Sequence, residues 1–442
     1  MFLRNGNEKT CRQRATRNMT LKKKIKKWLR VIGPGFITGA ADDDPSGIAT
    51  YSQTGALFGY AQVWIALFAT PFMIAIQEAS ARIGLITGKG LAKNIKQHYP
   101  AFILYASVFL VVIANIINIG ADLGAMAAST QLLFPAPFIL LLVLFGLTIA
   151  WLEIRVPYKK YANALKWLGL SLFAYLITAF IVKQDWGVIA HSFFVPSISF
   201  SREYWINIVA LLGTTISPYL FFWQADEEVE EEIARHELAR SKEDAIPHLR
   251  LHDVRAMRWD TIVGMIFSNA MTFFIIITAA ATLGAHHILN VQTAEQAAQA
   301  LLPLGGRVAF VLFTLGIVGT GLLAIPVLAG SASYALSETL GWKTGLYRSF
   351  KRAKGFYGII AAATLIGMLI NLMHIPAFSM LYYAAVLNGL AAPPLMFLIT
   401  HMAKNKAIMG EHASSPLFVW LGWAGAGAMT IASLALLFSL FI

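Results

Sequence analysis

Cysteine occurs once in 442 residues, at Cys11, and charged side chains make up only 13% of the chain. A lone thiol excludes a disulfide framework, a cysteine-rich zinc site and a thiolate-held cluster. Any metal chemistry must therefore use oxygen or nitrogen. An ordinary soluble domain carries about 25% charged residues, so a chain that is 57% apolar, with a mean hydropathy of +0.63, is not one. The ten histidines contain no His-Glu-x-x-His pair, and His286-His287 has no third convergent ligand. Gly84 to Lys89 approaches a phosphate loop but lacks its Gly-x-x-x-x-Gly-Lys-Ser/Thr spacing. Neither a zinc enzyme nor direct ATP hydrolysis is indicated, and no cofactor is expected.

What the chain has instead is long apolar runs. At about 20 residues per crossing, it divides into eleven, over 31–58, 61–83, 102–128, 136–152, 162–182, 204–224, 260–284, 307–338, 356–373, 377–400 and 416–442. A net charge of +12 would suggest nucleic acid for a soluble protein, but eleven of the 35 Lys and Arg fall in residues 1–30, ahead of the first run. That is the place the positive-inside rule gives them, and no nucleic-acid partner is expected. The bilayer is the partner. Lys and Arg then recur in alternate connections (Lys89, Lys93 and Lys96; Arg155, Lys159 and Lys160; Arg235 to Arg258; Lys343 to Lys354; Lys404 and Lys406), while those around Pro135, Ser192, His286 and His374 are nearly free of them. This places the N-terminus in the cytoplasm and the C-terminus outside; the expected location is the plasma membrane of a bacterium. A cleaved signal peptide is disfavoured, because Asp42-Asp43-Asp44 interrupts the apolar core it would need.

Those aspartates are the first informative feature. Span 1 reads Gly33-Pro34-Gly35-Phe36 and onward to Asp42-Asp43-Asp44-Pro45-Ser46-Gly47. A charge at mid-membrane depth costs at least about 2.5 kcal/mol, so these groups must face protein, water or a cation. Pro45 removes a backbone donor and breaks the helix, leaving Asp44 as the N-cap of a second half-helix. Five spans later Gly213-Thr214-Thr215-Ile216-Ser217-Pro218-Tyr219 repeats the arrangement. Paired interruptions in two halves point to a transporter of inverted repeats with its site between the broken helices. The resulting organisation is a basic segment 1–30, a first repeat 31–183 of spans 1 to 5, a second repeat 204–400 of spans 6 to 10 with a charged loop at 225–258, and an added span 416–442. Carbonyl oxygens freed at the breaks, together with Asp44, suit a hard cation. A plain kink satisfied by neighbouring helices is the competing reading, above all at Ser217-Pro218.

Other polar groups divide similarly. Asn115, Asn118 and Asp122 share one face of span 3 and either line a water path or bond to neighbouring helices. Asn388 is a weaker member of the same class. Gln77, Glu78 and Arg82 suggest an ion pair inside span 2. Six of the seven residues from Asp226 to Glu232 are acidic. They read either as a solvated helix end, with Glu231 and Arg235 as an i,i+4 pair, or as a vestibule that concentrates cations, with Glu227 and Glu228 foremost. Tyr219 reads as a packed aromatic rather than a ligand, placed with Asp122, Asn118, Glu227 and Glu228 along the polar path. Gly316, Gly319 and Gly321 permit close helix packing.

Gly33-Pro34-Gly35-Phe36 with Asp44-Pro45 resembles the first-span signature of the Nramp divalent-metal transporters. Ser80-Ala81-Arg82-Ile83-Gly84 followed by Thr87-Gly88-Lys89 resembles their second span and the loop after it, and Asp122-Leu123 resembles an Asp-Leu pair of span 3. The likeness runs through all eleven spans as hydropathy and is specific in spans 1 and 2. It implies a leucine-transporter-like five-plus-five fold, with a metal bound where spans 1 and 6 unwind. By that resemblance Asp44 is the metal-binding carboxylate, Ala41 lends a carbonyl, and Thr214 sits where span 6 lends another. Consecutive side chains point about 100° apart on a helix, so Asp43 reads as a nearby support or entry group. The chain departs from the family where Ser46-Gly47 replaces Gly-Asn and Ser217-Pro218-Tyr219 replaces Met-Pro-His, and in having Ala125 at an expected acid. Losing the thioether removes the soft ligand that favours manganese, iron or cadmium, and losing His and the acid strips groups suited to proton transfer. Gly47 and Ser217 leave room for a hydrated ion.

These features fit the Nramp-related magnesium transporters, and the expected activity is uptake of Mg2+, with Mn2+ next, by alternating access and without strict proton coupling. Three alternatives stand beside it: a proton-coupled Mn2+ or Fe2+ symporter, a same-fold carrier of an organic solute, and a membrane metal sensor. Oligomeric state is left open, a monomer being sufficient.

Overall fold

The computed structural model describes residues 33–156, 169–234, 251–373 and 375–439. The basic segment 1–30, Lys159, Lys160, Arg235, His374 and part of span 5 lie outside them. Every regular element among the described residues is helical. We number the main helices in order: α1 (Pro34–Asp42), α2 (Pro45–Phe58), α3 (Trp64–Thr87), α4 (Leu91–His98), α5 (Ala101–Gln131), α6 (Phe138–Arg155), α7 (Phe173–Ile181), α8 (Trp186–Phe194), α9 (Arg202–Thr215), α10 (Pro218–Ala234), α11 (Leu251–Ala279), α12 (Gly306–Leu340), α13 (Lys354–Ile370), α14 (Ala377–Lys404) and α15 (Pro416–Ser439). Among the described residues nine helices are long and apolar enough to cross a membrane, α9 and α10 counting as one. Span 1 is split into the shorter α1 and α2, and α7 is the described part of span 5. The chain is an all-α integral membrane protein.

Both breaks fall where proline forbids a continuous ladder. α1 stops at Asp42, Asp43 takes φ −79° and ψ 54°, and Asp44 is extended at ψ 174° before Pro45 restarts the helix. α9 stops at Thr215, Ile216 takes φ −123° and ψ 64°, and Pro218 opens α10.

The packing follows an exchange of the two halves. α1 lies on α11, so the first half of span 1 meets span 7; α10 lies on α3, so the second half of span 6 meets span 2. Spans 3 and 8, α5 and α12, pack on each other between them. Glycine lets the backbones approach at matching places. A Cβ on Gly39 of α1 would stand 2.7 Å from the Cα of Gly264 on α11, and one on Gly84 of α3 would stand 2.9 Å from the Cα of Ala225 on α10. Hydrocarbon supplies little drive for helices to associate, so such close approach carries much of the attraction. Gly321 does the same beside the first break, where an added Cβ would meet the Pro45 ring at 3.4 Å.

α1 begins at Gly33, which has no side chain to cap it. Asp260 of α11 supplies the acceptor: its carboxylate receives the amides of Gly33 at 2.9 Å and Gly35 at 2.7 Å. Tertiary structure thus provides what the local sequence omits.

Candidate metal centre

Asp44 sits between the two halves of span 1 as the N-cap of α2. Its Oδ1 accepts the Gly47 amide at 2.8 Å and the Ser46 hydroxyl at 2.6 Å. Its Oδ2 accepts the Tyr219 hydroxyl at 3.2 Å, and the same hydroxyl reaches the Ala41 carbonyl at 3.3 Å. A single tyrosine on α10 therefore bridges the carboxylate and a freed carbonyl of span 1. Span 6 closes the other side, with Ser46 Oγ and Thr214 Oγ1 3.3 Å apart. Ser217 Oγ donates to the carbonyls of Gly213 at 2.9 Å and Thr214 at 3.0 Å, covering the end of α9. The centre offers a carboxylate, hydroxyls and carbonyls at the meeting of both breaks, with Asp44 only 1% exposed. Oxygen donors of this kind suit Mg2+, Ca2+ or Mn2+.

Of the residues expected from sequence, Asp44, Ala41, Thr214, Gly47, Ser217 and Tyr219 are brought together. Gly47 contributes an amide to Asp44, and a Cβ there would meet the Tyr51 ring at 3.1 Å, so the position is tighter than a roomy water site. Tyr219, expected as a packed aromatic on the polar path rather than a ligand, is buried, and its hydroxyl reaches Asp44. Asp43 turns elsewhere: with Asp42 it faces Ser268 of α11, whose hydroxyl lies 2.6 Å from Asp42 Oδ2 and 3.3 Å from Asp43 Oδ1. Ser46 and Ser268 were missed, because one small hydroxyl in an apolar run carries no pattern.

Asp122 is fully buried with neither carboxylate oxygen hydrogen-bonded, and it interacts electrostatically with Asp44. The asparagines of the same face bond to neighbouring helices: Asn118 to Asn388 at 3.0 Å and Asn115 to the Leu328 carbonyl at 2.9 Å. Glu78 and Arg82 pair as expected, joined by Arg258 of α11 at 3.0 Å from Glu78.

The acidic run corrects the solvated-end reading. α10 continues through it, and Asp226, Glu227, Glu228, Glu230 and Glu232 are buried because α3, α12 and α4 pack around that helix. Glu228 accepts the Gln224 amide at 3.0 Å. Glu230 accepts the Tyr334 hydroxyl at 2.6 Å and the amides of Leu346 at 2.7 Å and Tyr347 at 3.1 Å. A cavity of about 440 Å³ beside it is lined by Asp226, Glu230, Glu338 and Lys93, rather than by Glu227 and Glu228.

Known proteins share both chain and fold. A divalent metal cation transporter, MntH, of Caldanaerobacter subterraneus subsp. tengcongensis is 25% identical over 422 residues, 91% of each chain. The crystal structure of the Eremococcus coleocola manganese transporter, bound to an aromatic bis-isothiourea compound, superposes with a TM-score of 0.74 at 17% identity, covering 92% of this chain and 86% of that one. MhsT in complex with L-phenylalanine superposes at 0.62 with 11% identity, covering 92% of this chain and 97% of that one. Residues 35–439 match the family described as natural resistance-associated macrophage protein-like. With the broken spans and the Asp44 centre inside that stretch, the chain belongs to the Nramp family.

Proposed function

We propose that this membrane protein, a transporter rather than an enzyme, carries divalent metal cations across the bilayer, with Mg2+ preferred and Mn2+ next. The carrying observation is the Asp44 carboxylate, buried at the break of span 1 against the break of span 6, with the hydroxyls of Ser46, Thr214 and Tyr219 around it. Asp44 and the carbonyls of Ala41 and Thr214 hold the ion directly, Asp43 supports it from the adjoining position, and Gly47 and Ser217 keep thioether and amide ligands away. Mg2+ dehydrates reluctantly and is usually held through one or two carboxylates with waters retained, which such a donor set permits. Inward movement of a divalent ion gains about 4.6 kcal/mol per 100 mV, twice the single-charge value, so proton coupling is not obligatory. The ion passes by alternating access between the repeats 31–183 and 204–400, with the N-terminus cytoplasmic; Asp122, Asn118, Tyr219, Glu227 and Glu228 supply the polar path.

Uptake into proteoliposomes of Mg2+ and of Mn2+, each with and without a proton gradient, tests this directly. Mg2+ entry driven by voltage alone is expected; Mn2+ entry that acidifies the lumen, with Mg2+ neither entering nor competing, would overturn the preference.

One observation favours a second reading, a proton-coupled manganese symporter. Asp122 is a buried carboxylate without hydrogen-bond partners that senses Asp44, and the MntH and Eremococcus relatives are named for divalent metal and for manganese. An organic solute such as an amino acid is less suited, since three acids would repel its carboxylate.

A further inference from the structure

α14 leaves the apolar part of the chain at Lys404 and α15 re-enters it at Pro416, so residues 405–415 lie at one border of the membrane. This connection folds back on α14, the Ser414 amide bonding to the Ala403 carbonyl at 2.9 Å. The basic end of α14 thereby comes beside the first turns of α15, and a groove of about 1020 Å³ opens between them. Lys404 and Lys406 line it together with Trp420 and Trp423, and Ser414 contributes to the same wall. A space of that size takes a sizeable organic molecule.

Its polar groups suit an anion. Lys404 and Lys406 are exposed, and among the described residues neither is in an ion pair, although Glu411 lines the same groove. Two ammonium groups against one carboxylate leave it net positive. The Ser414 hydroxyl is buried without a hydrogen-bond partner. The first amides of α15 have no acceptor within their own helix, and donors so placed favour negative charge. The rest of the groove is aromatic: Trp420 is 64% exposed, and Trp423 lies against Phe397 of α14 with ring centroids 5.5 Å apart. Indole rings at a membrane border sit at head-group level. Cation and indole together match a molecule with a negative head and an apolar body. The groove is also tied to the spans around it. Arg82 of α3 donates to the His412 carbonyl at 3.1 Å, and the Arg258 guanidinium of α11 lies 4.7 Å from the centre of the Phe418 ring.

We propose that this groove binds an anionic phospholipid, with Lys404, Lys406 and Ser414 on the phosphate and Trp420 and Trp423 against the glycerol and the upper acyl chains. The bilayer presents such a molecule at this depth, and basic pockets between membrane helices are where acidic head groups bind. A soluble anion would satisfy the lysines and leave Trp420 uncovered. Because Arg82 and Arg258 hold the same connection, the bound lipid braces spans 2, 7, 10 and 11 against one another at that face. The inference is independent of which ion Asp44 holds.

The test is native mass spectrometry of the full chain in detergent, titrated with dioleoyl phosphatidylglycerol or with zwitterionic dioleoyl phosphatidylcholine, and thermal melting in the same mixtures. Phosphatidylglycerol is expected to stay bound and to raise the melting temperature, and phosphatidylcholine to do neither. Lys404→Gln combined with Lys406→Gln should weaken phosphatidylglycerol binding about thirtyfold, the sum of what two lysines gain from acidic lipid, and Lys404→Arg with Lys406→Arg should keep it. Lys351→Gln with Lys354→Gln removes the same charge from another basic connection and should change nothing. All four lysines are exposed, so each double variant should elute as a monodisperse species. Equal binding of the two lipids overturns the site, as does an equal loss in the Lys351 and Lys354 variant, which would mark a diffuse effect of charge. Competition by glycerol phosphate with no lipid-dependent rise in melting temperature overturns it by placing a soluble anion in the groove. A dimer that excludes the lipid overturns it by placing a second copy there.

Discussion

The Tyr219 hydroxyl links Asp44 Oδ2 to the Ala41 carbonyl across 3.2 and 3.3 Å. It orients the carboxylate without offering a ring nitrogen to a metal or a proton. Removing such a partner typically weakens metal binding about 10–100-fold, and Tyr219→Phe should do so by calorimetry while leaving the fold intact. Asp44 has two duties, which two substitutions separate. Asn retains N-cap ability, whereas Ala loses it at a cost of about 1 kcal/mol; both lose the charge. Divalent binding should vanish in both, and only Asp44→Ala should also melt earlier. Ser217 tests selectivity. A thioether there adds a soft contact, so Ser217→Met should move preference toward Cd2+ over Mg2+ by about tenfold, the equivalent of 1.4 kcal/mol, read by competition in the uptake assay. Asp44 stood out because proline and acid in a membrane run leave a visible signature, whereas Ala41 and Thr214 were reached only through the family resemblance. Ser268, Ser46 and the hydroxyl role of Tyr219 were not legible, since each depends on which helix lies opposite.

Helix breaks were the most readable elements, for proline acts on the backbone whatever surrounds it. Helix starts were less so. α1 begins at a glycine and is capped by Asp260 from α11, with carboxylate-to-amide distances of 2.9 and 2.7 Å. α4 begins at another glycine position, and Glu338 of α12 accepts the amides of Gly90 at 3.1 Å and Lys93 at 2.8 Å. Neither cap lies within a turn of the helix it serves, so no local motif announces it. Asp260→Ala should cost about 1–2 kcal/mol, the upper part of the range for a lost cap, seen as a lower melting temperature in detergent. The acidic run was misjudged for a related reason. Charge density suggested solvent, but Glu230 is taken up by Tyr334 and the amides of Leu346 and Tyr347, partners more than a hundred residues away.

At the scale of the whole molecule, hydropathy was sufficient to locate the long apolar helices, while the matched glycine contacts between α1 and α11 and between α3 and α10 emerge only on packing. Spans 2 and 7 are also tied electrostatically, through Glu78 with Arg82 and Arg258. Breaking a buried pair by deleting one member costs about 3–5 kcal/mol, because the survivor keeps an uncompensated charge. Glu78→Gln should therefore destabilise far more than Glu78→Gln combined with Arg82→Met, a difference a thermal-melting double-mutant cycle would reveal.

On the proposal that Asp44 holds the ion, its burial at 1% sets the kinetics. An ion gripped at a sealed crossing cannot stream; each passage waits for helices to part on one face and close on the other. Electrophysiology should accordingly record no unitary openings, only a small saturable current whose size follows the number of molecules and the pace of their cycling.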